Sequence, residues 1–253
     1  MSRLITRRKV ITTALTALGG ASGLAFAARL ADRYGLIPPD HAGLYGAGET
    51  LTYASHRLFT ARASLAREFT PDQISMVAPV NGPPPTLFDY QQLLRRGFTN
   101  WRLDVDGLVA RPSSFSLADL RAFPMSRQIT HQACEEGWSF IAEWIGAPLS
   151  DVLNYVGVSS RARYVVFYAY DDDWESIDMA DATHPQTLLA YGMNGNELPA
   201  GHGAPLRLRV PRQLGYKSIK YLAQITVVDS LKDVGDGSGS SAPGVGYSWY
   251  AGI

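Results

Sequence analysis

The chain has 253 residues, and its 23 lysines and arginines balance its 23 aspartates and glutamates, so the formal net charge is zero. This balance excludes the basic surface with which nucleic-acid-binding proteins hold a phosphate backbone. A single cysteine, Cys134, excludes an intramolecular disulfide and a C-x-x-C-H haem attachment motif.

The first 30 residues predict an export signal. A basic start that contains Arg7 and Arg8 is followed by an almost uncharged stretch over residues 11–28. This order is typical of a secretory signal, and the arginine pair is typical of the twin-arginine type. Ala25-Phe26-Ala27 offers an A-x-A cleavage site. We therefore expect a periplasmic protein whose residues 1–30 are a twin-arginine signal or, if uncleaved, an N-terminal anchor.

Residues 31–100 are predicted to form an N-terminal extension that packs on the core. Residues 36–48 contain two consecutive prolines and three glycines and predict an extended linker. Apolar residues at helical spacing follow over residues 51–69 and again over residues 87–96, where Gly97 is expected to end the helix.

Strand patterns begin at residue 101. Alternation over residues 101–105, followed by Asp106-Gly107 and then Leu108-Val109, predicts a β-hairpin with a two-residue turn. The apolar run at residues 164–168 predicts a buried strand.

Two short helices are expected between these strands. Ser116 suits the N-cap of the first helix, and Asp119 stands at the capping-box position. Residues 150–155 repeat the pattern from Ser150, and Gly157 is expected to end that second helix.

The surroundings of Cys134 are polar. Glu135, Glu136, Gly137 and Trp138 follow it, which predicts a loop that presents the sulfur rather than a buried strand. A free cysteine is most often inert core filler, whereas loops of this kind more often carry function. The residues alone thus leave an inert side chain and a reactive thiolate as alternatives.

A second informative segment is rich in basic residues. Residues 206–210 alternate strictly, so Arg207 and Arg209 are expected to share one face of a strand, and residues 221–228 predict the next strand. Five basic residues from Arg207 to Lys220 are expected to converge where these strands meet. A solvated basic face is one explanation. His202 before a Gly-Ala-Pro turn, and Ser218 alternating with Lys220, favour a phosphate site instead.

Several runs of the chain together resemble the sulfite-oxidase-like family of molybdopterin-dependent oxidoreductases, and most closely its branch of periplasmic methionine sulfoxide reductase catalytic subunits. The runs are CEEGW at 134–138, WIGAPL at 144–149, HPQTLLAYGMNG at 184–195, HGAPLR at 202–207 and GYKSIK at 215–220. The resemblance implies an α+β fold of mixed β-sheets with peripheral helices, the sulfite-oxidase catalytic-domain fold. It implies a molybdopterin-binding catalytic core over residues 101–230 and a C-terminal tail over residues 231–253, without the immunoglobulin-like dimerisation domain. We expect the tail to pack back on the core, and a monomer.

The same resemblance implies a mononuclear molybdenum–molybdopterin cofactor. It makes Cys134 the molybdenum ligand, which agrees with the preference of soft thiolate for such a metal. One cysteine suffices because the cofactor brings the other sulfurs, and the redox chemistry belongs to the cofactor. The residues that the resemblance places against the pterin and its phosphate are His202, Arg207, Ser218, Ile219 and Lys220.

Some positions depart from the family pattern. Sulfite oxidases follow the cysteine with asparagine and arginine, whereas Glu135-Glu136 stand here, which argues against sulfite and for the reductase branch. Trp174 stands where sulfite oxidases carry a tyrosine near the metal, and Ala169 replaces a threonine of the reductase branch. His131 replaces an arginine and is given no role.

The function implied is oxygen-atom transfer, with reduction of a small-molecule S-oxide or N-oxide. Electrons would come from a membrane b-type cytochrome, with a soluble cytochrome c as the second possibility. One alternative is a sulfite-oxidising enzyme of the same family that passes electrons to a cytochrome c. Another is a thiol enzyme with Cys134 as nucleophile and His131 or His184 as base. A third is an exported binding protein that has lost the metal.

Three further segments are interpreted without a functional role. Residues 171–173, three aspartates, predict a solvated loop. Residues 235–239, which contain three glycines, predict a flexible linker. His56 and Arg57 in the N-terminal extension match the family too loosely to be assigned contacts with the cofactor.

Overall fold

The computed structural model describes residues 26–27, 29–31, 36, 46–60 and 64–253. Most of the predicted twin-arginine signal or anchor, residues 1–30, lies outside these residues, and so does most of the predicted linker over residues 36–48. Among the residues described, no helix combines the length and the apolar character that crossing a membrane requires.

Strands and short helices alternate along the described chain. The strands are β1 (Leu103–Gly107), β2 (Ser113–Phe115), β3 (Ser126–Ala133), β4 (Ser139–Pro148), β5 (Tyr164–Ala169), β6 (Trp174–Asp178), β7 (Leu188–Met193), β8 (Asn196–Glu197), β9 (Arg207–Arg209) and β10 (Leu222–Val228). The helices are α1 (Ala47–Phe59), α2 (Phe88–Arg95), α3 (Leu117–Arg121), α4 (Leu149–Val156) and α5 (Met179–Ala182).

The strands form two sheets. The first has the order β2-β1-β10-β5-β6, and the second has the order β3-β4-β7-β8 with β9 also paired to β7. All pairs are antiparallel except β1 with β10, which lie parallel in register Val105↔Ile225. The predicted α+β class with mixed sheets and peripheral helices is confirmed.

The main core lies between the two sheets. Helix α4 illustrates how it forms, because its buried residues follow the spacing i, i+3, i+4 and i+7 of a helix with one apolar face. These residues are Leu149, Val152, Leu153 and Val156. Gly157 ends the helix in the left-handed region, at φ 71°, as predicted.

The local predictions were right at α3 and wrong at two other places. Ser116 caps α3 and forms the capping box with Asp119, as predicted. Ser150 caps nothing, because β4 runs through Pro148 directly into α4. The two-residue hairpin is also wrong: Leu108 donates its N–H to the Val227 carbonyl at 2.7 Å, and the partner strand β2 begins only at Ser113. The chain follows the parallel neighbour β10 before it turns back.

The C-terminal residues cover one face of the first sheet. Trp249 is buried, and its indole N–H donates to Ser176 Oγ on β6 at 2.8 Å. The predicted flexible linker at residues 235–239 is wrong, because the Trp174 ring fills the space beside Gly235 where a Cβ would come within 2.1 Å of it. The predicted packing of the tail on the core is confirmed.

A buried ionic network attaches α1 to the core. The Arg57 guanidinium lies 2.7 Å from Asp178 and 3.0 Å from Asp181, and these side chains are almost fully buried. Tyr53 donates to Asp178 at 2.7 Å, and Gln213 donates to Asp181 at 2.7 Å. Arg57 therefore neutralises two buried carboxylates. Helix α1, on which Arg57 lies, ends at Phe59, before the predicted limit of residue 69.

Replacement of Arg57 should therefore destabilise the protein strongly. In Arg57→Ala the carboxylates of Asp178 and Asp181 stay buried without their cation, which we expect to lower the free energy of unfolding by about 3–5 kcal/mol. The matched control is Arg121→Ala, which removes an exposed ion pair with Glu197 and should cost no more than about 1 kcal/mol. Urea unfolding at neutral pH measures both, and equal losses would contradict the assignment.

Candidate functional site

One cavity of about 250 Å³ opens beside the turn between β3 and β4. The residues that the sequence placed in the site come together there, from three separate parts of the chain. Those that line the cavity are Cys134, His202, Arg207, Ser218, Ile219 and Lys220.

Cys134 lies in a tight turn that directly follows β3. Its N–H donates to the Trp138 carbonyl at 2.9 Å, its carbonyl accepts from Gly137 at 3.1 Å, and Gly137 takes φ 91°. The predicted loop is thus confirmed, although the side chain is only 8% exposed. Burial, together with the Glu135 carboxylate at 3.4 Å, raises the pKa of the thiol. At neutral pH the sulfur therefore carries a proton, which a bound metal cation would displace.

The two arginines of β9 share one face, as predicted. The guanidinium carbons of Arg207 and Arg209 lie 5.0 and 5.3 Å from the centre of the Trp144 ring. Both side chains are buried, so the alternative of a solvated basic face is wrong. Burial lowers the pKa of Arg207 to about 10, and burial and the neighbouring Arg207 lower that of Arg209 to about 9. Among the described residues neither arginine forms a salt bridge.

Lys220 brings a second cation to the cavity wall. Its ammonium donates to the carbonyls of Asn81 at 2.5 Å and Gly201 at 3.4 Å, and has no salt bridge to a described carboxylate. Burial and the charge of Arg207 lower its pKa to about 8. The backbone of Gly203, at φ 108°, packs closely against the Lys220 side chain. A Cβ at residue 203 would lie only 2.9 Å from Lys220 Cβ. Burial and Arg207 lower the pKa of His202 to about 4, so its ring is neutral.

The other three basic residues of this segment bind partners within the protein and do not line the cavity. The prediction that all five basic residues converge at one site is therefore wrong. Lys217 is fully buried in an ion pair with Glu175 at 2.5 Å. Arg212 donates to Thr60 Oγ1 at 3.3 Å and does not line the cavity. Arg209 lies behind the wall, where it donates to the His131 carbonyl at 2.6 Å. These partners are distant in the sequence, so the pattern of residues 206–220 alone could not predict them.

Ser218 and Ile219 follow the 3-10 turn Gly215–Lys217, which lies against the Cys134 turn. A Cβ on Gly215 would come within 3.3 Å of Cys134 Cα, so a larger residue there would crowd the turn. Ser218 Oγ accepts from Arg209 at 3.3 Å and from the Val210 N–H at 3.0 Å. Its hydroxyl has no hydrogen-bond acceptor among the described residues.

Sequence reasoning missed several residues of the cavity. Asp171 and Asp173, predicted to lie in a solvated loop, line it, and burial and Asp173 raise the pKa of Asp171. Asn81 places its amide nitrogen 4.0 Å from Cys134 Sγ. No motif marks Asn81, but alternation along β3 does place Gln132 beside Cys134, and Gln132 also lines the cavity.

Other candidates lie elsewhere. His131, His184, Ala169 and Trp174 are not among the residues that line the cavity. The ring of His184 bonds the Ser64 carbonyl at 3.1 Å, so neither histidine that was considered as a base for the thiol lines the cavity. Within the described residues no three His, Cys, Asp or Glu side chains are grouped to hold a metal ion. A metal at Cys134 would thus take its other ligands from a cofactor.

Comparison with known proteins identifies this arrangement. The family model described as oxidoreductase molybdopterin binding domain matches residues 91–234. A putative protein-methionine-sulfoxide reductase subunit, YedZ1, of Azospira oryzae is 36% identical over 73% of this chain and 70% of that protein. The protein-methionine-sulfoxide reductase catalytic subunit MsrP of Ralstonia nicotianae is 37% identical over 51% of this chain and 44% of that protein. The match to MsrP therefore spans less than half of its length.

A solved structure shows the same fold. The sulfane dehydrogenase SoxCD from Paracoccus pantotrophus superposes with a TM-score of 0.50 and 25% sequence identity. The superposition covers 53% of this chain and 40% of that chain. The catalytic-domain architecture predicted from the sequence is confirmed by this likeness and by the family match.

Proposed function

Because this chain belongs to the oxidoreductase molybdopterin-binding domain family, we propose that it reduces S-oxides by oxygen-atom transfer. The protein is a molybdopterin-dependent oxidoreductase. The observation that carries the proposal is that one cavity joins the Cys134 sulfur to two cations, Arg207 and Lys220, which form no salt bridge among the described residues.

The residues of the cavity fit a cofactor that has sulfur-bound metal at one end and phosphate at the other. Cys134 would be the protein ligand of molybdenum. Arg207, Lys220 and the Ser218 hydroxyl supply donors for a phosphate, and buried cations gain most from an anionic partner. The ring of His202 is neutral, because burial and the charges of Arg207 and Lys220 lower its pKa, so it adds no further charge to theirs. We assign cofactor contacts to these residues and to Ile219, which closes the wall.

The bound cofactor supplies the two-electron redox chemistry, and the protein supplies position, protons and exclusion of water. Reduction of a sulfoxide consumes two protons and two electrons and releases a sulfide and water. The Asp171 carboxyl, whose pKa burial raises, lines the cavity and can hold one of these protons. Cys134 stays a ligand throughout and is not consumed.

The charge around the sulfur favours a neutral substrate. Glu135 lies 3.4 Å and Glu136 4.0 Å from Cys134 Sγ, and Asp171 and Asp173 line the same cavity. Once a phosphate neutralises Arg207 and Lys220, the space near the metal is negative and repels sulfite. The sulfite-oxidising alternative is therefore disfavoured against S-oxide reduction.

We expect the electrons to reach this enzyme from another protein, because the relatives are named as subunits of a reductase and one cysteine cannot form a C-x-x-C-H haem attachment motif. We propose a membrane b-type cytochrome as donor, with a soluble cytochrome c as the second candidate. We also propose a periplasmic location, supported by the arginine pair and apolar stretch at residues 7–28. The proposed location rests on the sequence alone, and the proposed partner is supported by the names of the relatives only in that they are called subunits.

The thiol-enzyme alternative lacks support in the geometry. The pKa of Cys134 is raised rather than lowered, and neither His131 nor His184 lines the cavity. A nucleophilic thiol requires a base within hydrogen-bond reach or a depressed pKa. Purified protein without molybdenum whose turnover is abolished by alkylation would support that alternative.

Lys220→Ala should lower the molybdenum content of the purified protein. The substitution removes one of the two cavity cations, and a hydrogen bond to a charged group contributes about 1.5–3 kcal/mol. We expect Arg207→Ala to act in the same direction. The control is Lys232→Ala, which removes an exposed lysine distant from the cavity lining. Metal analysis per polypeptide measures the effect, and full molybdenum content in both cavity variants would contradict the phosphate site.

Glu135→Gln should relax the discrimination against sulfite. The variant removes one negative charge beside the sulfur, so sulfite oxidation measured with ferricyanide should rise several-fold at low salt, and the gain should shrink as salt screens the field. Reduction of methionine sulfoxide with a reduced viologen donor should change by less than about twofold, since the substrate is neutral overall. A panel of S-oxides and N-oxides run alongside tests the substrate class, and faster turnover of sulfite than of every S-oxide by the wild type would overturn the proposal.

A further inference from the structure

Gln132 has a buried acceptor that the described protein does not satisfy. The residue is 5% exposed, and its side-chain oxygen Oε1 has no hydrogen-bond partner among the described residues. A buried polar atom without a partner costs about 1–3 kcal/mol, and native proteins rarely retain one without a reason. The donor that satisfies this oxygen should therefore lie next to Gln132.

The position of Gln132 places it between the two ends of the cavity. It stands on β3, two residues before Cys134, and its side chain lines the cavity. Its amide nitrogen lies against the opposite turn, since a Cβ on Gly215 would come within 2.6 Å of it. The amide is thus held between the Cys134 turn, at the metal end, and the turn that leads to Ser218, at the phosphate end.

A second glutamine on the same strand separates a ligand contact from a simple packing defect. Gln128 also points to the buried face of β3 and also has an unpartnered Oε1. Its amide nitrogen, however, donates to the Gln186 carbonyl at 2.8 Å, and it does not line the cavity. Both glutamines thus have an orphaned acceptor, but only Gln132 lines the cavity, so a comparison of the two separates a ligand contact from a packing defect.

We propose that Gln132 is a cofactor-binding residue whose amide accepts a hydrogen bond from an N–H group of the bound pterin. The part of the cofactor between metal and phosphate is a ring system rich in N–H donors, and an amide oxygen is a suitable neutral acceptor for them. A carboxylate here would add a further negative charge beside Glu135. This inference rests on the proposed function, because it requires that the cavity hold the pterin.

The test compares Gln132→Met with Gln128→Met, since methionine keeps the length of the side chain and removes its acceptor. Molybdenum loss from each holoenzyme in mild urea is followed by metal analysis, and unfolding temperatures are measured on metal-free protein. For Gln132→Met we expect molybdenum to be lost about five- to tenfold faster than from wild type, the effect of one hydrogen bond. Metal-free Gln132→Met should unfold at or above the wild-type temperature, because an orphaned acceptor has been removed.

Gln128→Met should show the opposite pattern. It loses the bond to Gln186, so its metal-free form should unfold below the wild-type temperature. Its molybdenum should be lost no faster than this loss of stability explains. An unchanged rate of molybdenum loss from Gln132→Met would overturn the inference and leave the proposed function standing. A fall in metal-free stability equal to that of Gln128→Met would also overturn it, because Gln132 would then have a partner within the protein or in water. Wild-type protein free of molybdenum would overturn both proposals.

Discussion

The site depends on two arginines that are buried side by side against one tryptophan. Arg207 donates to the carbonyls of His202 at 2.9 Å and Ser218 at 2.7 Å, and Arg209 donates to the carbonyl of His131 at 2.6 Å. Those three carbonyls belong to three of the chain segments that line the cavity. Two like charges in a buried place are costly unless an anion accompanies them. The same contacts that assemble the cavity therefore support the proposed anion site.

This arrangement explains why one cysteine is sufficient. The β3–β4 turn holds Cys134 at the end of a strand whose backbone Arg209 fixes, and the Gly215 turn closes on it from the other side. In the proposed assignment the protein contributes one sulfur and a set of donors for a phosphate, all of which line the same cavity. In the same proposal the carboxylates near the sulfur influence which substrate approaches, and Arg207 and Lys220 hold the cofactor.

Much of this was predictable from the sequence where the information is local. Alternation placed Arg207 and Arg209 on one face, and the polar residues after Cys134 predicted its turn. Burial was not predictable, because a strand pattern does not show that Trp144 and the carbonyls of other segments enclose both arginines. Lys217 was placed at the site for the same reason, although Glu175 binds it in the interior. The aspartates at residues 171–173 do lie in an exposed loop, as predicted, but the local pattern did not show that Asp171 and Asp173 line the cavity. The glycines at residues 235–239 were misjudged because Trp174, which packs against Gly235, lies far away in the sequence.

The central claim is that Cys134 is the protein ligand of a molybdenum whose other sulfurs come from the pterin. X-ray absorption at the molybdenum edge of purified holoenzyme counts these sulfurs directly. The account predicts one fewer sulfur at bonding distance in Cys134→Ser than in wild type, with the pterin sulfurs retained in both. An identical sulfur shell in the two proteins would contradict it, since Cys134 would then not be bound to the metal.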